Sequence, residues 1–84
     1  METTETRVAV VSIIVEDSES IERLNAILHE YRQWIVGRMG IPYPQKKVSI
    51  ISVAVDAPQT EISALSGKIG MLKGVSAKTA YTNH

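Results

Sequence analysis

Two kinds of segment carry residues that could hold a charged ligand: polar loops and one glycine-rich stretch. The polar loops are predicted at Glu16–Ser18, Lys46–Lys47 and Lys73–Gly74. A helix that begins next to Ser18 would offer free N–H donors and the positive end of its dipole to an anion, and the lysines would add positive charge. The alternative is that Asp17 and Ser18 already cap this helix and that the lysines are solvated turn residues.

The stretch Gly37–Tyr43 is the most unusual in the chain, because an arginine and two glycines precede a Pro-Tyr-Pro turn. The planar guanidinium of Arg38 could grip a carboxylate or a phosphate, and Tyr43 could stack on a ligand. The alternative is an edge strand that charge and proline protect from wrong pairing. The residues predicted to bind a ligand or a partner are Gly37, Arg38, Gly40, Tyr43, Asp17 and Ser18.

Catalytic and metal-binding chemistry find no support in the sequence. The chain has no cysteine, which excludes disulfides, a thiolate nucleophile and thiolate-bound metals. His29 and His84 are the only imidazoles and have no metal-ligand spacing, so a metal site would have to be shared between subunits. Glu16 and Asp17 are adjacent in sequence only, and no Ser-His-Asp set is visible. We predict a protein that is not an enzyme and needs no metal or cofactor.

Length and charge further narrow the classes of protein to which the chain can belong. The chain has 84 residues, and its nine basic residues balance nine acidic ones, which argues against direct binding to nucleic acid. No apolar run reaches the roughly 18 residues of a membrane span, and the polar start does not resemble a signal peptide. The sequence predicts one cytoplasmic domain over residues 7–81, with flexible termini at 1–6 and 82–84.

Hydrophobic periodicity predicts the elements that position these residues. Apolar, β-branched runs indicate strands, and apolar residues three or four apart indicate helices. The predicted elements are a strand over 7–16 buried on both faces, a helix over 20–31, an irregular edge strand over 34–41, a turn over 42–47, a strand over 48–56, a second helix from a Thr60 cap to Leu72, and a strand over 75–81. Gly67 and Gly70 would allow the second helix to pack closely.

This order predicts an α+β, ferredoxin-like βαββαβ fold, an antiparallel sheet in the order 4-1-3-2 with two helices on one face. The polar loops would meet at one end of such a sheet. The first and third strands are apolar on both faces, although the helices can cover only one. We therefore expect a homo-oligomer that forms through the uncovered face.

Several runs of the chain also carry a family resemblance. They are residues 13–17, 35–43, 49–52, 55–56, 61–70 and 74–76, of which the run Gly37–Tyr43 is the most specific. With them, the stretch from Val8 to Ala80 resembles a family of iron-only hydrogenase system regulators. The resemblance implies a ferredoxin-like domain similar to ACT regulatory modules and to the C-terminal domain of the nickel-responsive repressor.

The departures from those relatives limit what can be transferred. ACT modules that bind amino acids tend to have glycine after the first strand, where this chain has Glu16–Ser18, and the repressor's nickel-binding His and Cys pattern is missing. Regulation of transcription would need a partner, because no DNA-binding motif precedes Arg7. We predict a regulatory, non-enzymatic domain that binds a small ligand or docks onto a protein. The alternatives are a structural oligomerisation module and an enzyme with a site shared between subunits.

Overall fold

Four strands form one antiparallel sheet in the computed structural model, which describes residues 5–83. The strands are β1 (Arg7–Val15), β2 (Ile35–Tyr43), β3 (Val48–Ala57) and β4 (Val75–Tyr81), in the order β2-β3-β1-β4. This is the predicted order read from the other edge. β1 and β3 lie at the centre because they hold the longest runs of β-branched residues, which favour a pleated, buried surface.

Two helices, α1 (Ile21–Glu30) and α2 (Gln59–Gly70), follow β1 and β3. α2 begins earlier than predicted, directly after Pro58, whose carbonyl accepts the N–H groups of Glu61 and Ile62. The expected Thr60 cap is therefore wrong, since Thr60 lies inside the first turn. The close packing expected at Gly67 and Gly70 is also absent, because a Cβ added at either position would meet no other atom within 4 Å.

The core lies between the helices and one face of the sheet. Its buried apolar residues are Ala9, Val11, Ile13, Val15, Leu24, Leu28, Tyr31, Ile51, Val53, Val55, Ala57, Ile62, Leu65 and Ile69. Burial along β1 alternates strictly, so within one chain this strand is buried on one face and not on both as predicted. The reason is that the two helices pack on the same side, which leaves the other side of the same strand uncovered.

β2 runs further than predicted. Pro42 and Tyr43 still pair with β3, and the turn begins only at Pro44. An edge strand tolerates Pro42 because one side of its backbone has no neighbouring strand to bond with. The predicted irregularity of this strand is confirmed as a bulge at Val36, between Ile35 and Gly37.

The residue after β4 adds two hydrogen bonds to the sheet. Thr82, next to β4, donates its backbone N–H to the Val8 carbonyl and accepts a hydrogen bond from Arg7. The remaining predicted terminal segments at residues 1–4 and 84 lie outside the described residues. Within residues 5–83, no helix is long and apolar enough to cross a membrane.

Candidate functional site

The predicted meeting of polar loops at one end of the sheet is observed. The loop after β1 contacts the loop before β4, where the Glu16 N–H donates to the Gly74 carbonyl at 2.7 Å. The Ser20 hydroxyl donates to the Lys73 carbonyl at 2.6 Å. The Lys73 ammonium lies 3.8 Å from an Asp17 carboxylate oxygen. These contacts fix the start of α1 against the start of β4.

Gly74 makes this close approach possible. Its φ is +68°, in the left-handed region that favours glycine, and a Cβ at this position would lie 2.6 Å from the Cβ of Asp17. The glycine is therefore required both by its backbone conformation and by the side chain that it faces.

Asp17 already has partners. Its carboxylate accepts the Glu19 N–H at 3.0 Å, and Lys73 approaches its other oxygen. Asp17 thus caps the short 3-10 turn Ser18–Ser20 that precedes α1, whereas Ser20, the N-cap residue of α1, makes no side-chain capping bond, so the expected capping of α1 by Asp17 or Ser18 is not observed. Ser18 is exposed next to Asp17.

An open cavity of about 570 Å³, here named the end cavity, lies between the β1–α1 loop and the β2–β3 turn. Tyr43, Asp17 and Ser18 line it, as does Lys47, which sits in the turn with a left-handed φ of 57°. Glu16 also lines it, so the cavity carries both signs of charge. Of the predicted site residues, the structure thus brings three together here.

Arg38 and Gly40 line a neighbouring groove of about 270 Å³ between β2 and α1. The Arg38 guanidinium donates to the side-chain oxygen of Asn25 at 3.1 Å. Pro42 and Ser49 line both this groove and the end cavity, so the two are continuous along β2. Gly37 lines none of the described cavities and a Cβ there would meet nothing within 4 Å. Binding of a ligand or partner by Gly37, Arg38 and Gly40 stays a prediction.

Sequence reasoning missed two residues that the fold brings to Arg38. Arg32 and His29 line a third cavity together with Arg38 and Asn25. A signal was present, because positions 25, 29 and 32 follow the i, i+4, i+7 spacing of one helix face. No three His, Cys, Asp or Glu side chains within residues 5–83 are grouped so that they could hold a metal ion.

The sheet face away from the helices, here named the open face, is mostly apolar, although a polar row of Lys78, Ser12 and Ser52 crosses it. Within residues 5–83, seven of the nine exposed large hydrophobic side chains belong to it by strand register, so apolar exposure is concentrated on one surface. These seven are Val8, Val10, Ile14, Met39, Ile41, Tyr43 and Ile50. The other two are Val36, at the bulge of β2, and Met71, directly after α2.

Comparisons with known proteins decide the family. The model of the TM1266-like family, described as "Iron-only hydrogenase system regulator, putative", matches residues 7–79. The chain belongs to this family. The solved structure of the uncharacterized protein TM1266 from Thermotoga maritima is similar, with a TM-score of 0.90 and 30% identity over 94% of this chain and 100% of that chain. The family and its fold thus agree with the resemblance seen in the sequence.

A more distant structure shows the shared fold alone. A formyltetrahydrofolate deformylase from Pseudomonas putida KT2440 superposes with a TM-score of 0.66 and 13% identity, over 92% of this chain and 29% of that chain. No curated protein matches the sequence. The described fold is therefore one that also occurs as part of a larger protein.

Proposed function

We propose that this chain is a cytoplasmic, non-enzymatic regulatory domain that self-associates through its open face and binds a small ligand or a protein partner along β2. Membership of the hydrogenase-regulator family supports a regulatory role in the iron-only hydrogenase system. The observation that carries the proposal is the open face, where large apolar side chains lie exposed on three neighbouring strands. A concentration of exposed apolar side chains on one face is typical of an interface.

A second copy of the chain is the occupant that fits the open face. Besides its apolar residues the face carries three serines, Ser12, Ser52 and Ser76. Its charged residues are one acidic residue, Asp56, and one basic residue, Lys78, on different strands. The charges cancel, so two copies of this face would not repel each other, and a two-fold arrangement could set each charge near its opposite. Apolar burial between the copies would supply the driving force.

The predicted binding residues Arg38 and Gly40 lie on β2, a strand that also contributes to the open face. Arg38 and Gly40 point to the helix side of β2, where the groove lies, while Met39 and Ile41 belong to the open face. A ligand that shifts β2 would therefore alter the packing between copies, and oligomerisation would alter ligand affinity by the same factor. This arrangement supplies a physical route from ligand binding to regulation.

The oligomer is tested by light scattering and native mass spectrometry on the wild type and on Ile14→Asp. We expect an oligomeric wild type and a folded, dissociated variant, because a carboxylate would have to be buried between copies. Met71→Asp is the matched control, since Met71 is exposed away from the sheet and should leave the mass unchanged. A monomeric wild type across the micromolar range would overturn self-association.

The ligand or partner site is tested with Arg38→Ala. The Arg38 side chain is exposed and donates a hydrogen bond to Asn25, so its loss should change the stability of the fold by no more than about 1 kcal/mol. Native mass spectrometry of protein isolated gently from its own cells should show a small molecule or partner retained by the wild type and lost from the variant. If the oligomer retains nothing, a purely structural module is favoured. Turnover of a retained molecule would instead indicate an enzyme with a shared site.

A further inference from the structure

The cavity between the second half of α1 and the start of β2 has only basic residues among its charged lining. It measures about 350 Å³, within the lower range of small-molecule sites. Its lining residues, here named the basic cleft, are Asn25, Leu28, His29, Arg32, Ile35 and Arg38. By contrast, the end cavity includes two carboxylates, and the cavity between the helices includes Glu30. The groove along β2 also lacks carboxylates but has Arg38 as its one charged lining residue, so the basic cleft differs from the other three cavities in combining two guanidinium groups with no carboxylate.

The two arginines of the cleft are held by neutral groups. Arg32 donates to the His29 carbonyl at 2.8 Å, and Arg38 donates to the Asn25 side-chain oxygen at 3.1 Å. Within residues 5–83, neither forms an ion pair with a carboxylate. A guanidinium has five N–H donors, so these bonds leave most of the donor capacity of both side chains available. Two cations on one small cavity without a counter-charge favour an anion between them.

The bulge in β2 is what gives the cleft its composition. Residues 35 and 38 would point to opposite faces of a regular strand, because side chains alternate. The extra residue at Val36 restores both Ile35 and Arg38 to the helix side, where they pair in register with Val55 and Val53. Bulges often redirect a side chain in this way next to functional sites. The local irregularity thus places a cation over an apolar wall.

The lining also selects the chemistry of the ligand. Leu28 is buried and Ile35 is half-buried, so the cleft has an apolar floor beneath its basic rim. Two planar guanidinium groups match the oxygens of a phosphate, which carries close to two negative charges at neutral pH. We infer that the basic cleft binds a phosphate monoester whose organic group is small and apolar. The inference rests on the proposed ligand-binding function and names the ligand class.

The test is a titration of the full chain with phenyl phosphate, inorganic phosphate and benzoate, followed by NMR chemical shifts. We expect saturable binding of phenyl phosphate, with shifts at Arg32, Arg38 and Ile35. Inorganic phosphate should bind about tenfold more weakly because it leaves the apolar floor uncovered. Benzoate should bind more weakly than phenyl phosphate because it has one charge. Equal binding of benzoate and phenyl phosphate would overturn the phosphate class.

Variants assign the binding to the cleft. Arg32→Gln and Arg38→Gln should each weaken phenyl phosphate binding by on the order of tenfold or more, since each removes a charge-assisted pair. Arg32→Lys keeps the charge but loses the planar fork, and should weaken binding by less than Arg32→Gln. Arg23→Gln is the matched control, because Arg23 lies on the same helix but lines a different cavity. Thermal melting of each variant checks that it is folded.

The outcomes separate this inference from the proposed function. If phenyl phosphate does not bind, or binds with equal affinity to wild type, Arg32→Gln and Arg38→Gln, the basic cleft is not its site and the inference fails. Failure of the proposed function is read elsewhere, in the oligomer mass and in the molecules retained from cells. A retained ligand that is not anionic, or that Arg32→Gln still binds, would keep the proposed function and overturn the phosphate assignment.

Discussion

Both faces of the central strand β1 carry apolar side chains, but only one face is buried within the chain. Facing the helices are Ala9, Val11, Ile13 and Val15, which are at most 2% exposed. Facing away are Val8, Val10 and Ile14, which are between 37% and 45% exposed. Folding of one chain therefore buries four of these seven apolar side chains. The other three stay exposed in the single chain and would suit the proposed contact between chains.

The contrast arises from connectivity. Each helix connects two parallel strands that are separated in the sheet by one other strand. Such crossovers are right-handed, so both helices pack on the same side of the sheet. Ser20 and Gly74 then hold this cover in place through their contacts with Lys73 and Asp17. No helix remains for the other side. The open face is thus a direct result of the fold.

The largest difference in stability is expected when the same substitution is made at two adjacent isoleucines. Ile13 is 1% exposed and Ile14 is 44% exposed, so the same substitution probes the two faces. Ile13→Asp should unfold the domain, because an unpaired buried carboxylate costs several kcal/mol of a stability of about 5–15 kcal/mol. Ile14→Asp should remain folded. Circular dichroism and thermal melting compare the two, and equal melting of both variants would contradict the assignment of faces.

A smaller effect is expected from Gly74→Ala, which disturbs only the end of the covered face. The added Cβ would lie 2.6 Å from that of Asp17, at a φ that alanine disfavours. The free energy of unfolding should fall by about 1–3 kcal/mol, measured by denaturant titration. Gly67→Ala is the control, since it lies exposed inside α2 with open space around it and should stabilise by roughly 0.5–1 kcal/mol. Unchanged stability of Gly74→Ala would mean that the two loops separate at little cost.

Much of this arrangement could be predicted from the sequence. The strands β1, β3 and β4, the sheet order and the meeting of the polar loops followed from β-branched runs and from the βαββαβ order. The extension of β2 through Pro42 was not predicted, because a proline ends a ladder only where its N–H is needed. The start of α2 was missed because Pro58 precedes it without a side-chain cap.

The site was predictable only in part, for a physical reason. Asp17 and Ser18 were expected at one end of the sheet, and they line a cavity there; Tyr43, which was predicted as part of a separate stretch, lines the same cavity. The residues next to Arg38 depend instead on the bulge at Val36, because a shift of one residue moves every following side chain of a strand to the other face of the sheet. The sequence showed that the strand was irregular but not at which residue the register changed. Arg32 was therefore not connected with Arg38.

The smallest effect is expected from Ser20→Ala, which tests whether the two faces are independent. Ser20 is the one buried polar residue among those described, at 7% exposure, and its hydroxyl donates to the Lys73 carbonyl at 2.6 Å. It makes no capping bond to α1, so the substitution removes this single contact. Loss of a partly buried hydrogen bond should lower the free energy of unfolding by about 1 kcal/mol.

Ser18→Ala serves as the control for Ser20→Ala, because Ser18 is exposed in the same helical turn and should change stability little. The decisive measurements are the mass and the dissociation constant of the oligomer. Since Ser20 supports only the covered face, the oligomer of Ser20→Ala should keep its mass and its dissociation constant while its stability falls. A parallel loss of stability and association would show that a change in the position of the helices alters the open face through the sheet. A ligand bound beside α1 could then affect the oligomer by a second route that does not involve β2.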